Sequence, residues 1–348
     1  MMSSLSISRS KGTYLALSLL AILAIALYGA QREVEYDLEV YFFFYRSLIE
    51  EGITSVVSCQ SFEPLFCVGS FVFSEFTGSE LATHFIWTCL FYLVTLRAFL
   101  LFWPLFVPDN RYSVISFIAF VFISINYVDP QAVYFLTRQY VASSLIMLGI
   151  ARYANNKSPT FSFILAALIH FGALPIIVLV YLCTRSRLNV KTAIAAIVIL
   201  LVAVYLSSNT LVQFYVSSVQ YKLTEYQSKN DGDVTALQEI RVFVYLMTTA
   251  YIFKSIKTKL SLSFVLLYIF YLFTFQNELF HIRYLKYLEV MTWPSAFVLF
   301  YIVRNATGYV FISALFLRIY RYLSLLSPES AVLSLTKVAF LALLSWLK

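Results

Sequence analysis

The stretch TYLALSLLAILAIALYGA, residues 13–30, contains no charged side chain. An α-helix rises about 1.5 Å per residue, so a helix over this stretch is about as long as the apolar core of a bilayer is thick. Arg9 and Lys11 precede the stretch, and no small-residue cleavage motif of the usual form follows it. Because positive residues stay on the cytoplasmic side, we interpret the stretch as a retained first span that starts inside the cell.

The composition extends this interpretation to the whole chain. Of the 348 residues, 61% are hydrophobic and 12% are charged, and the mean hydropathy is +0.80. These values exclude a water-soluble enzyme. One spanning helix needs about 20 apolar residues, which leaves room for about ten to twelve spans, and open sheets cannot cross lipid. The sequence therefore predicts an all-α polytopic membrane protein with a single transmembrane domain over residues 1–348.

Lysine and arginine residues near the span ends predict the orientation of the chain. The net charge of +7 fits loops beside anionic lipid and does not require a nucleic-acid partner. The apolar runs lie at residues 13–30, 82–106, 112–128, 138–153, 160–184, 191–207, 241–253, 260–275, 284–303, 307–326 and 331–347. The positive groups assigned to the cytoplasm are Arg9/Lys11, Arg111, Arg152/Lys157, Arg185/Arg187/Lys191, Lys254/Lys257/Lys259 and Arg304.

Three polar segments are predicted to lie on the outer side, at residues 31–81, 208–240 and 276–283. Residues 31–81 hold nine of the 18 acidic residues and follow a span that starts inside. Because 82–106 is the next full crossing, the apolar stretch Phe62–Phe76 cannot be an ordinary span. It is predicted to be an interfacial or re-entrant helix. Residues 208–240 form the second predicted outer-side loop.

The run at 160–184 presents a conflict of orientation, because positive residues flank both of its ends. Arg152 and Lys157 precede it, and Arg185 follows it closely. Two short helices that break at His170-Phe171-Gly172 would keep both ends on the cytoplasmic side. The alternative is one ordinary span for which the charge rule fails once.

Ionisable residues at membrane depth are costly and are functional candidates by default. The outer-side candidates are Asp37, Tyr41 and Glu63; Arg138 and Gln139; His170; and Glu278, His281 and Arg283. Arg138 and Arg283 could hold a diphosphate, because a guanidinium is always charged and offers a planar fork of donors. His170, Asp37 or Glu63 is the candidate general base on a hydroxyl. Tyr41, Gln139, His281 and Glu278 are the candidate substrate-binding residues.

Each candidate also has a structural interpretation that the sequence leaves open. An arginine at a helix end is often an interfacial anchor, and a buried histidine is often a hydrogen-bonded core residue, which is the role assigned to His84. Asp231-Gly232-Asp233 lies in a predicted flexible loop, so no metal site is predicted, and no cofactor is expected. Cys59 and Cys67 both fall in the outer segment and could form a disulfide.

The order of several short motifs resembles the EpsG-like branch of the Wzy-type polysaccharide polymerases, most clearly over the first 185 residues. The matching elements are Tyr36-Asp37-Leu38-Glu39-Val40-Tyr41, Phe62-Glu63-Pro64-Leu65-Phe66, the aromatic stretch that leads to Arg138-Gln139, Ala166 to Leu174 around His170, and Arg283-Tyr284 with Tyr287. The resemblance implies a glycosyltransferase of the lipid-phosphate-dependent, GT-C-like kind. It also implies that the enzyme is metal-independent and lies in the bacterial cytoplasmic (inner) membrane with its site facing the periplasm or exterior.

The expected reaction joins undecaprenyl-diphosphate-linked oligosaccharide repeat units into O-antigen, capsule or exopolysaccharide. The expected partners are the donor and acceptor lipids, membrane lipid and a chain-length regulator protein. Two rival functions remain: a flippase for lipid-linked oligosaccharides and a membrane O-acyltransferase that modifies the glycan. The low glycine content and the lack of internal repeats argue against the flippase. An arginine pair on the outer side fits poorly with an acyltransferase that uses an inside donor.

Overall fold

The computed structural model describes residues 2–31, 34, 37–57, 62–107, 112–185, 236–273 and 278–297. Within them the chain forms thirteen α-helices and no strand. The helices are α1 (Met2–Gly29), α2 (Asp37–Glu51), α3 (Ile53–Val57), α4 (Pro64–Thr77), α5 (Glu80–Phe106), α6 (Val114–Asn126), α7 (Pro130–Phe135), α8 (Thr137–Ala154), α9 (Thr160–Ile169), α10 (Leu174–Arg185), α11 (Ala236–Ile256), α12 (Thr258–Phe273) and α13 (Glu278–Met291). This arrangement confirms the all-α prediction.

Two helices in the described part of the chain are long and apolar enough to cross a membrane unaided. They are the Lys11–Gly29 part of α1 and the whole of α5. Six further apolar helices contain 10 to 17 residues. The predicted runs at 191–207, 307–326 and 331–347 lie outside the described residues, as does the predicted loop at 208–240 up to residue 235. Residues 236–240 of that loop form the start of α11.

Helix α5 is the central element, because α1, α2, α4, α6, α7 and α8 all pack against it. It begins after Ser79, whose side chain accepts a hydrogen bond from the Ala82 amide. Helix α8 runs in the same direction as α5: Thr137 at its start reaches His84, and Asn155 just beyond its end donates to the Leu101 carbonyl. The starts of α5 and α8 therefore lie at one end of this helix pair, and their last turns lie at the other end.

Helices α9 and α10 form a hairpin. His170 is extended (φ −155°, ψ 109°) and ends α9, and a 3₁₀ turn over Phe171–Ala173 leads into α10. The Tyr153 hydroxyl donates to the Thr184 carbonyl, so the end of α10 returns to the end of α8 from which α9 departs. The prediction of two short helices is confirmed, and the single ordinary span is wrong. The ten residues of α9 rise about 15 Å, roughly half of the apolar thickness of a bilayer.

Three short helices occupy the predicted outer-side segment. The predicted short element at Phe62–Phe76 is α4, whose 14 residues rise about 21 Å and are too few for an ordinary span. Gly78 ends α4 with φ 59°, a left-handed conformation that favours glycine. The side of the membrane on which this segment lies stays a prediction.

The predicted helix at 284–303 is wrong in its extent. Helix α13 ends at Met291, and a 3₁₀ turn follows over Trp293–Ser295. Pro294 has no amide hydrogen to continue the α-helical ladder, and its ring disfavours helical geometry at the preceding residue. Residues 298–303 lie outside the described residues.

Candidate active site

The carboxylate of Glu63 joins three separate parts of the chain. Glu63 is the residue before α4, in an extended conformation, and its side chain does not cap that helix. One oxygen, Oε2, accepts from Arg138 Nη1 at 2.7 Å. The other, Oε1, accepts from His170 Nδ1 at 2.6 Å and from the Phe171 amide at 3.1 Å. Glu63 thus holds the start of α8 and the tip of the hairpin at a single point.

Glu63 is ionised at neutral pH. Burial raises the pKa of its carboxyl group, but the hydrogen bond from His170 and the charge of Arg138 outweigh burial and lower the pKa to about 2. An ionised carboxylate only accepts hydrogen bonds, so His170 Nδ1 must carry a hydrogen and donate. Nε2 is then the ring nitrogen that can take up a proton. Glu63 itself is a poor general base, because a carboxylate with a pKa of about 2 has little affinity for a proton at pH 7.

The hairpin tip places the His170 imidazole. Because His170 is extended and follows the last turn of α9, its side chain leaves the helix and reaches α4. A Cβ atom at position 172 would lie 3.1 Å from Nε2, so Gly172 keeps that side of the ring clear. The Tyr287 ring of α13 stacks on the imidazole with a centroid separation of 6.1 Å. The His170 side chain is 13% exposed, which leaves it within reach of a ligand.

Arg138 lies in the first turn of α8, and aromatic rings surround its guanidinium group. Its Nε donates to the Tyr41 hydroxyl at 3.1 Å, in addition to the contact with Glu63. The guanidinium carbon lies 4.4 Å from the Phe62 ring centroid, 5.3 Å from that of Tyr41 and 5.4 Å from that of Phe66. Arg138 therefore neutralises the carboxylate that orients His170, whereas the sequence suggested a diphosphate contact or an interfacial anchor.

The structure brings together four of the predicted site residues: Tyr41, Glu63, Arg138 and His170. Two more lie nearby. Gln139 is buried next to Arg138, and Asp37 lies one helical turn before Tyr41, where its charge acts on both Tyr41 and Arg138. The assignment of roles to these residues stays a proposal.

Three predicted residues fall in the first half of α13, namely Glu278, His281 and Arg283. Their side chains lie outside the described part of the structure. The helix itself is well positioned, because Tyr287, one turn after Arg283, contacts His170.

Sequence reasoning missed the aromatic contacts around the site. Tyr41 and Tyr45 are spaced by four residues, which places them on one side of α2, and Phe62 and Phe66 flank the start of α4 with the same spacing. With 33 phenylalanines and 26 tyrosines in the chain, this spacing was not distinctive.

Neither the metal nor the disulfide prediction is settled. Cys67 is buried in α4 and is disulfide-bonded, whereas its predicted partner Cys59 lies outside the described residues, as do Asp231 and Asp233. Among the residues that the structure describes, no three His, Cys, Asp or Glu side chains are grouped as metal ligands would be. Metal independence stays a prediction.

Comparison with known proteins gives one match. Curated proteins and solved structures yield none. The sequence model of the EpsG family matches residues 14–336, which is nearly the whole chain. The matched range includes Tyr41, Glu63, Arg138 and His170. The chain therefore belongs to the EpsG family, a Wzy-like family of polysaccharide polymerases.

Proposed function

We propose that the protein polymerises undecaprenyl-diphosphate-linked oligosaccharide repeat units into O-antigen, capsule or exopolysaccharide on the outer face of the bacterial cytoplasmic membrane. The observation that carries the proposal is the Glu63 carboxylate, which joins Arg138 and His170 in a chain of the EpsG family. A carboxylate that orients a histidine, beside a buried cation, is suited to glycosyl transfer from a diphosphate to a hydroxyl.

The acceptor hydroxyl is activated at His170. Glu63 fixes the Nδ1–H form of the ring, so Nε2 faces the acceptor as the base. The acceptor oxygen forms a bond to the anomeric carbon of the donor sugar, and the hydroxyl proton passes to Nε2. The ionised Glu63 stabilises the imidazolium that results.

The bond that breaks joins the anomeric carbon to the phosphate oxygen of the donor. Undecaprenyl diphosphate leaves with both bonding electrons, so negative charge grows on its phosphate oxygens. Arg138 and Arg283 are the proposed groups that stabilise this charge. Arg283 is included because it lies one turn from Tyr287, on the helix that contacts His170.

The position of the hairpin tip suits amphiphilic substrates. Because α9 is about half as long as the apolar layer is thick, His170 lies below the membrane surface rather than on it. The diphosphate of a membrane-anchored lipid can reach this depth while its polyprenyl chain stays in the bilayer. Tyr41 and Gln139 are the proposed contacts to the sugars, together with His281 and Glu278.

Glycan length in a deletion strain tests this function against its rivals. Loss of polymer with single repeat units still at the surface supports the polymerase. Loss of all surface glycan supports a flippase, and a full-length polymer that lacks acyl groups supports an acyltransferase. Purified protein should then extend lipid-linked repeat units in vitro, and a chelator should not stop it if the reaction is metal-independent.

The proposed orientation is tested by thiol labelling of intact cells. Glu50 is near the Arg46–Glu80 pair at the start of α5, whereas Lys157 is near the opposite end, beyond α8. A membrane-impermeant reagent should label a cysteine introduced at Glu50 and not one at Lys157, with the unaltered chain as the control. The reverse pattern would invert the topology.

A further inference from the structure

His84 of α5 contacts three of the helices around Arg138, namely α2, α7 and α8. The side chain is fully buried. Its Nε2 lies 2.6 Å from the Tyr134 carbonyl oxygen of α7, and its Nδ1 lies 3.1 Å from the Tyr45 hydroxyl of α2. A carbonyl oxygen can only accept, so Nε2 donates to Tyr134. Full burial favours the neutral ring, in which Nδ1 accepts from the Tyr45 hydroxyl. His84 is thus a neutral bridge between α2, α5 and α7.

The bridge ends at the break between α7 and α8. Leu136 has φ −114° and ψ 40°, which interrupts the helix two residues before Arg138. The Tyr134 carbonyl at this break accepts from His84 Nε2 and from the Thr137 hydroxyl at 2.9 Å. These hydrogen bonds satisfy a carbonyl at the point where the two helix axes separate. The direction in which α8 leaves the break determines where the Arg138 side chain begins.

His84 also supports the other partner of Arg138. Its ring lies 5.4 Å from the Tyr41 ring, and Tyr41 stacks on Tyr45, which donates to His84. The Tyr41 hydroxyl accepts from Arg138 Nε. His84 therefore contacts both the backbone segment that leads to Arg138 and the ring whose hydroxyl holds the guanidinium.

We infer that His84 is a positioning residue for Arg138: it fixes the α7–α8 break and the Tyr41 ring so that the guanidinium reaches Glu63. Only one part of this inference rests on the proposed function, namely that loss of His84 lowers turnover. The geometric part stands on the contacts alone. A displacement of about 1 Å at a reacting group can cost about a hundredfold in rate, so loss of His84 reduces turnover even though His84 does not touch substrate.

The first test reads the position of Arg138 without using activity. In purified protein, phenylglyoxal modification of individual arginines is followed by mass spectrometry in wild type, His84→Leu, His84→Gln and Thr95→Val. Thr95→Val is the matched control, because Thr95 is a buried residue of α5 whose hydroxyl donates to the Phe91 carbonyl of the same helix. Arg46, whose side chain is 60% exposed, is the internal reference.

We expect Arg138 to react at least about fivefold faster in His84→Leu than in wild type, because the loosened guanidinium spends more time away from Glu63. Reaction at Arg46 should be unchanged, and Thr95→Val should behave as wild type. His84→Gln keeps a donor that can reach the Tyr134 carbonyl and should restore most of the protection. Equal Arg138 reactivity in His84→Leu and Thr95→Val would overturn the inference.

The second test is a double-mutant cycle on polymerisation by purified protein. His84→Leu should lower kcat about tenfold to a hundredfold in the wild-type background, with a smaller change in KM. In an Arg138→Lys background the same change should cost less than about twofold, because the residue through which His84 acts has already been altered. Equal losses in both backgrounds would show that His84 acts independently of Arg138.

The two tests separate the inference from the proposed function. If the wild-type protein does not polymerise lipid-linked repeat units, the proposed function fails, and phenylglyoxal still decides the role of His84. If His84→Leu does not accumulate, Tyr45→Phe takes its place, since it removes the hydrogen bond to Nδ1 and keeps the aromatic ring. Faster Arg138 modification in Tyr45→Phe than in Thr95→Val supports the inference, and equal modification rejects it.

Discussion

Two arginine–glutamate pairs in the fold have almost the same shortest N–O distance and different surroundings. Arg46 and Glu80 meet at 2.8 Å with side chains that are 60% and 25% exposed. Arg138 and Glu63 meet at 2.7 Å with side chains that are 20% and 10% exposed. The first pair is largely exposed, whereas aromatic rings and a histidine surround the second.

The difference shows that distance alone does not indicate what an ion pair does. An exposed pair is screened and contributes little, whereas a buried pair whose partner is removed leaves an uncompensated charge. Each member of the buried pair also makes a second hydrogen bond: Glu63 accepts from His170, and Arg138 donates to the Tyr41 hydroxyl. The predictions below use the exposed pair as the reference for the buried one.

The largest effect is expected at Arg138. Arg138→Ala should abolish polymerisation, because it removes the proposed diphosphate contact and leaves Glu63 without its cation. Arg138→Lys should not restore full activity, since an ammonium group cannot replace a planar fork. The measurement is glycan length at equal protein level. Normal glycan length in Arg138→Ala would remove Arg138 from the site.

His170→Gln should lower turnover by about 10²-fold or more while lipid-linked substrate still binds. Glutamine can keep a hydrogen bond to Glu63 but cannot take up a proton at neutral pH. The measurement is single-turnover polymerisation together with substrate binding by the purified protein. Equal loss of binding and turnover would assign His170 to substrate orientation, and Asp37 would become the leading candidate for the base.

The pH dependence of stability should distinguish the buried carboxylate. The pKa of Glu63 is lowered to about 2, so its ionised form stabilises the folded state at all pH values above the unfolded pKa. This contribution, about 3 kcal/mol, is lost as pH falls through about 4 toward 2. The melting temperature of wild type in detergent should therefore exceed that of Glu63→Gln at pH 7 and at pH 5, and the gap should narrow at pH 3. A constant gap would show that Glu63 is not ionised in the fold.

The smallest effect is expected at the exposed pair. Arg46→Ala should leave turnover within about twofold of wild type, because water replaces the lost partner of Glu80. Turnover and melting temperature of the purified protein are the measurements. A loss comparable to that of Arg138→Ala would mean that exposure is a poor guide to the roles of these two pairs.

Local patterns in the sequence were sufficient for most of the long apolar helices and for the hairpin. Positive residues at both ends of 160–184, together with the His170-Phe171-Gly172 break, predicted that the chain turns back. Pro294 could have signalled the early end of α13, but the apolar run around it was taken as one helix. Such features depend on residues close in sequence, where propensity and charge act directly.

The contacts of the site depend on residues that are far apart in the chain. Glu63 is 75 positions from Arg138 and 107 from His170, and no local pattern encodes their meeting. From the sequence, Glu63 and His170 were alternative candidates for the base. In the structure the Glu63 carboxylate accepts a hydrogen bond from His170 and so orients it. His84 was assigned a structural role, and its contacts with Tyr45 and Tyr134 could not have been inferred from spacing.

The hairpin of α9 and α10 also bears on how the chain is made. A helix pair that enters and leaves by one membrane surface does not change the orientation of any helix synthesised after it. The ten residues of α9 are too few for the insertion machinery to hold as a separate span. Ribosomes make Glu63 and Arg138 before His170, so the carboxylate that receives the tip is synthesised before the hairpin.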